Sequence, residues 1–121
     1  VVKKEWIKPG THINAIGADA KGKEELDPQI LKEAKIVIDN WEQASHSGEI
    51  NVPLERGIIK KENIHGELGE IIAGEKPGLE NDREITVFDS TGLAVQDLYT
   101  AHLVYKIAKK RKIGREINIL N

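Results

Sequence analysis

The 121-residue chain contains no cysteine and no methionine. Without cysteine there can be no disulfide, no thiolate zinc site and no cysteine nucleophile. No apolar run approaches the roughly 20 residues that a membrane span requires, and no signal peptide is visible at Val1. The chain therefore reads as a cytoplasmic protein that engages no membrane. An excess of one charge is also missing: 18 Lys and Arg face 20 Asp and Glu, a formal net charge of −2, which argues against nucleic-acid binding. The four histidines, His12, His46, His65 and His102, lack ligand-like spacing, so no metal is expected. Neither a G-x-G-x-x-G fingerprint nor a P-loop occurs, so a self-contained nucleotide site is not supported. Trp6 and Trp41 read as packing residues rather than stacking platforms. The opening "VVKKEW", with no methionine anywhere, is compatible with a chain that starts partway through a larger protein, its Val1–Val2 edge covered by preceding sequence.

What is present is enough for one soluble globular domain: 39% hydrophobic and 31% charged residues over a length that buries a core without staples. Residues 11–17, "THINAIG", read as a strand with Ile13 and Ala15 on one face. Asp27 is a candidate N-cap for a helix that begins at Pro28 and carries Ile30, Leu31 and Ala34 as its apolar stripe. "KIVIDN" reads as a strand buried on both faces. Asp39 or Asn40 caps the helix that follows, and Gly48 ends it. "PLERGIIKKENI" and "GELGEIIAG" read as short helices broken by Gly66 and Gly74, and "EKPGLENDRE" as a polar loop. Ile85 to Phe88 form a further strand, ending in Asp89 and Ser90. From Gly92 to Arg111 the spacing of Ala94, Leu98, Ala101, Tyr105 and Ala108 predicts a long helix. Lys109, Lys110 and Arg111 suit its C-terminus, and the basic run as a whole is a solvated helix end. "REINIL" reads as a last strand. The order β-α-β-α-(helices)-β-α-β indicates a mostly parallel α/β sheet.

In such sheets ligands bind beyond the carboxyl ends of the strands, and three expected strands end in acids: Asp19, Asp39 and Asp89. Asp39 reads as a helix cap. Asp89 leads into a small polar turn, Ser90-Thr91-Gly92, whose N–H groups are suited to facing a ligand. Asp19 is the least cap-like, because the next helix starts near Asp27. It is the acid that calls for a functional account.

Three blocks, "GTHINAIGADAKGKEELDPQILKEAKIVIDN", "HSGEINVPLERGII" and "ITVFDSTGLAVQDLYTAHLVY", resemble the ornithine cyclodeaminase and mu-crystallin family, and within it the archaeal alanine dehydrogenase branch. The resemblance implies the C-terminal part of a family member. Residues 1–112 would be the second half of a Rossmann-like, doubly wound parallel sheet that binds NAD, with NADP as the alternative. Residues 113–121 would be a tail whose strand returns to a substrate and dimerisation domain. It also implies that the glycine fingerprint and the substrate-binding Lys and Arg lie upstream, and that the complete protein is a homodimer acting on a small amino acid.

Carried over residue by residue, the resemblance makes Asp19 the catalytic acid/base. Ile16, Gly17 and Ala18 match backbone at the nicotinamide end of the cofactor, Lys23 and Ser90 match cofactor contacts, and Thr91 matches a residue beside the substrate. Lys21 departs from a frequent proline and Leu79 from a frequent arginine. The implied chemistry is hydride transfer from an amino-acid α-carbon to nicotinamide, with a carboxylate moving the protons. Alanine dehydrogenase, ornithine cyclodeaminase and ketimine reductase remain open, as does a non-catalytic, mu-crystallin-like binding protein. A phosphoacceptor receiver domain is the remote alternative, and the acidic pair it needs after its first strand is missing.

Overall fold

A computed structural model describes residues 1–117 of the chain. Four short strands, β1 (His12–Ala15), β2 (Lys35–Ile38), β3 (Ile64–Glu67) and β4 (Thr86–Asp89), form one sheet in the order β1-β4-β2-β3. Every pairing is parallel. The connections carry α1 (Pro28–Glu33), α2 (Trp41–Ser47), α3 (Asn51–Glu55) and α4 (Leu68–Ile72), and α5 (Ala94–Arg111) follows β4. Parallel neighbours need such crossovers because a hairpin cannot reverse the chain twice.

The core follows from the apolar pattern. Ile36 and Ile38 of β2, Val87 of β4 and Ala15 of β1 supply the sheet's inner face. Ile30 and Leu31 of α1, Ala44 of α2, and Ile50 and Ile59 close over them. The alternation of β2 is one-sided: Ile36 and Ile38 are buried while Lys35 and Val37 are only half-buried, so the expected burial on both faces is corrected. At the amino edge of the sheet Lys35 fastens the polar loop, donating to the Gly78 carbonyl at 2.8 Å and pairing with Glu80 and Glu84.

Local signals placed several elements well. Asp27 caps α1, its carboxylate accepting from the Gln29 N–H at 2.9 Å with Pro28 in the first turn, and Gly48 caps the end of α2. The first strand is shorter than expected, and the long helix starts at Ala94 rather than Gly92. On one side Val2 bridges Leu26 in parallel through two backbone hydrogen bonds. The middle of the chain differs more. Gly66 breaks no helix but lies buried inside β3, where a Cβ would fall 2.7 Å from Glu70 Oε2 and 2.8 Å from Lys76 Cδ. That strand was hidden because "IHGE" offers one β-branched residue and a glycine, a poor strand signal that pairing to β2 overrides. Residues 115–117 are not in a strand, and the rest of the expected "REINIL" strand lies outside the described residues. Trp41 packs partly on the core, but Trp6 is 61% exposed, which corrects its packing role.

Helix α5 stands apart from the core. None of its residues is buried, and Leu98 and Tyr99 are each 70% exposed. No helix among the described residues is long and apolar enough to cross a membrane. This division gives a first test by urea denaturation of the chain. Ile36→Ala deletes a side chain with no exposed surface and should cost about 2–5 kcal/mol. Leu98→Ala should stay within about 0.5 kcal/mol of the parent. Equal losses would overturn the separation of α5 from the core.

Candidate functional site

Because all four strands run the same way, their carboxyl ends share one edge, and the register sets them level. Ala15 of β1 pairs with Asp89 of β4, which pairs with Ile38 of β2. The loops that leave these strands are therefore neighbours. The Ser90 N–H donates to the Ala15 carbonyl at 3.0 Å, joining the turn after β4 to the end of β1. Ser90, Thr91, Asp39 and the segment from Ile16 to Asp19 thus leave adjacent strands at the same edge.

Asp19 is exposed, and its carboxylate pairs with the Lys23 ammonium one helical turn's spacing away in sequence. That ammonium holds the carboxyl below the usual carboxylate range, first by hydrogen bonding and then by charge. Asp19 is therefore ionised at neutral pH and can accept a proton. It caps nothing: Asp27 takes that role for α1. Ala18 beside it is buried and anchors the loop, while Ile16 stands 65% exposed above the sheet edge. The Gly17 N–H donates to the Glu25 carboxylate at 3.0 Å.

Asp39 corrects the cap reading. Asn40 caps α2 instead, accepting from the Gln43 N–H at 3.2 Å. The nearly buried Asp39 carboxylate accepts from the Thr91 N–H at 2.6 Å, and from the Thr91 hydroxyl at 3.0 Å to Oδ1 and 2.9 Å to Oδ2. It fixes the residue expected beside the substrate. Asp89 is not at the surface either. It is 1% exposed, it accepts from the Ile50 N–H at 3.1 Å, and its Oδ1 has no hydrogen-bond partner. Gly48 lies so close that a Cβ there would fall 2.5 Å from Asp89 Oδ2.

Sequence reasoning missed Glu49, which has no exposed surface and accepts from the backbone N–H groups of Glu25 and Leu26. It also missed Asn51, whose Oδ1 accepts from the Gly22 N–H at 2.9 Å and whose Nδ2 donates to the Lys23 carbonyl at 3.1 Å. The available signal was two polar residues alternating with Ile50 and Val52 in "GEINVP". That pattern does not say which side faces inward.

The comparisons with known proteins bear on this edge. The family model described as the ornithine cyclodeaminase/mu-crystallin family matches residues 1–112. The chain belongs to the ornithine cyclodeaminase/mu-crystallin family. It is 58% identical over 117 residues to the alanine dehydrogenase of Archaeoglobus fulgidus, a match that covers 97% of this chain and 36% of that protein. Its fold superposes on an archaeal alanine dehydrogenase dimer with bound NAD at a TM-score of 0.88 and 57% identity, covering 99% of this chain and 38% of that one. The Δ1-pyrroline-2-carboxylate reductase of Thermococcus litoralis, solved with NADH and L-proline, superposes at a TM-score of 0.87 and 44% identity, covering 97% and 36%. The chain thus spans a little over a third of the length of these family members.

The two buried carboxyls set a pH test. Burial pushes Glu49 up to about 7, against the two N–H groups that hold it down, and the Asp89 charge adds to the rise. Burial likewise pushes Asp89 up to about 6. Groups raised on folding bind protons more tightly in the folded state. Their stabilisation is complete below the ordinary carboxylate range of about 4 and is lost as pH rises through their folded values. The urea midpoint should accordingly fall between about pH 5 and pH 7.5, and Glu49→Gln should flatten that slope. A slope unchanged by the substitution would remove Glu49 as its source.

Proposed function

We propose that this chain is the proton-transfer part of an NAD(P)-dependent amino-acid oxidoreductase. Residues 1–112 would be the second half of its Rossmann-like domain, and residues 113–121 the tail that returns to a substrate and dimerisation domain. The observation that carries the proposal is Asp19: an exposed, ionised, non-capping carboxylate at the carboxyl edge of a parallel sheet, in a chain of this family.

The residues present fit one end of a dinucleotide. The exposed Ile16 side chain and the Gly17–Ala18 backbone offer an apolar surface at the sheet edge, suited to a flat nicotinamide ring. Ser90 and Lys23 are the proposed polar contacts, and Thr91, locked by Asp39, the residue beside the substrate. The pyrophosphate end finds no glycine fingerprint among these residues. When bound, the cofactor supplies the acceptor for a hydride from the substrate α-carbon. Asp19 accepts a proton from the α-nitrogen as the carbon–nitrogen double bond forms. That proton leaves Asp19 for solvent, and the freed carboxylate takes a proton from the water that adds to the carbon and returns it to the nitrogen. As the carbon–nitrogen bond breaks, the hydroxyl proton passes through Asp19 to the leaving ammonia, so ammonium departs and the carboxylate is restored. Imine reduction is the first of these steps in reverse, hydride to the carbon and a proton to the nitrogen. The reductase relative supports that direction for the family, and the dehydrogenase relative supports the forward one. The Lys23 ammonium beside Asp19 holds the carboxyl further below the usual carboxylate range, by hydrogen bonding and then by charge.

The test uses the natural polypeptide that carries these 121 residues. Asp19→Asn keeps the shape but cannot cycle a proton near neutral pH. It should lower kcat for amino-acid oxidation by at least about 10²-fold, with NADH affinity little changed. Asp27→Asn is the control, because asparagine caps a helix as well as aspartate does. An Asp19→Asn protein with more than about a third of parental turnover would lie far outside the range for a lost general acid/base, and the assignment would fall.

A further inference from the structure

The loop that bears Asp19 has little of its own to hold it. Between Gly17 and Lys23 only Ala18 is buried, and Lys21, Gly22 and Lys23 are exposed. A carboxylate on such a loop would wander by more than the tolerance of proton transfer unless the backbone were tied down elsewhere. Both ends of the loop are tied. At the start, the Glu25 carboxylate accepts from the Gly17 N–H at 3.0 Å. At the end, Asn51 closes on two successive residues at once, accepting from the Gly22 N–H and donating to the Lys23 carbonyl. Asn51 is itself 4% exposed and also donates to the Gly48 carbonyl, so it is fixed where α2 gives way to α3. Beneath the loop, Glu49 holds the Glu25 and Leu26 N–H groups, which sets where the Glu25 side chain begins.

We propose that Asn51 and Glu25 are positioning residues for Asp19: they clamp the two ends of the Gly17–Lys23 loop and so set the place of its carboxylate at the sheet edge. Neither touches the proposed reacting atoms; each acts through the loop backbone. The clamp is specific in chemistry as well. Gly22 needs an acceptor and Lys23 a donor, and an amide supplies both in one plane whereas aspartate or leucine does not. The loop end is thereby a rigid extension of the α2–α3 junction.

This inference rests on Asp19 being the proton carrier, and the experiment separates the two. In the natural polypeptide that carries these residues, Glu25→Ala and Asn51→Ala should each lower kcat about ten- to a hundredfold, the scale of a misplacement near 1 Å. KM for NAD(H) should rise by a smaller factor than kcat falls: Gly17 and Lys23, which these residues hold, are themselves proposed cofactor contacts, but the loss of proton transfer appears in kcat. Combined with Asp19→Asn, each should cost less than about twofold more, since a positioning residue has nothing left to position. Glu25→Gln should keep at least about half of the activity, because its amide oxygen still accepts from the Gly17 N–H. Glu25 is exposed, so its variants decide the matter even where Asn51→Ala does not fold. If Asp19→Asn itself turns over normally, the proton-carrier reading falls and takes the clamp with it. If Asp19→Asn is inactive but Glu25→Ala stays within about twofold of the parent, or its effect adds in full to that of Asp19→Asn, the clamp alone is overturned.

Discussion

The insertion of β4 between β1 and β2 is the constraint on which the candidate site depends. β4 comes late in the chain yet pairs with both earlier strands, Val87 lying opposite Ile13 on one side and Ile36 on the other. Val87 is 1% exposed, so the register is set by a buried apolar contact rather than by the loops. Shifting a strand by one residue would turn its buried face outward. The same pairing brings the Ser90 turn level with the end of β1 and puts Thr91 over Asp39. A site assembled from three strand ends is therefore as well defined as the core beneath it.

Charge is distributed in keeping with that arrangement. Asp19 is exposed and held further below the usual carboxylate range by Lys23, while Glu49 and Asp89 are buried and pushed toward neutrality. All are carboxyls of one chain, and their surroundings alone separate them. The buried pair accepts backbone N–H groups: Asp89 ties the α2–α3 junction to β4, and Glu49 ties that junction to the segment before α1. Asp39 lies between the two classes: it is 8% exposed, and its two oxygens accept the N–H and hydroxyl of one residue and the N–H of Asn40. A carboxylate with three donors around it is a structural anchor, which is why its place at a strand end does not make it a proton carrier.

What the sequence made legible was what short-range rules govern. Asp27-Pro28 announces a helix start, Ile36 to Ile38 and Ile85 to Phe88 announce strands, and the four- and three-residue spacing from Ala94 onward announces α5. Asp19 stood out by elimination, since nothing near it needed a cap. What stayed hidden depends on contacts distant in sequence. β3 exists because β2 offers it an edge, and "IHGE" alone does not ask for a strand. Asp39 and Asn40 are adjacent cap-type residues, and only the position of Thr91, 52 residues later, decides which of them caps. Asn51 and Glu49 look like surface polar residues until the packing of Ile50 and Val52 is known.

Helix α5 shows the opposite case, a local pattern that is right while its packing lies elsewhere. Eighteen residues form the helix, yet none is buried, and Val95, Leu98, Tyr99, Val104 and Tyr105 are all more than half exposed. An isolated helix in water draws most of its stability from packing an apolar face, and an apolar surface of this kind marks a place of contact. The carboxyl edge has the same character: Ile16 is exposed beside Asp19, and the glycine fingerprint that would cradle a pyrophosphate is not among these residues. The chain thus sets a closed core beside two exposed apolar elements, Ile16 at the carboxyl edge and helix α5.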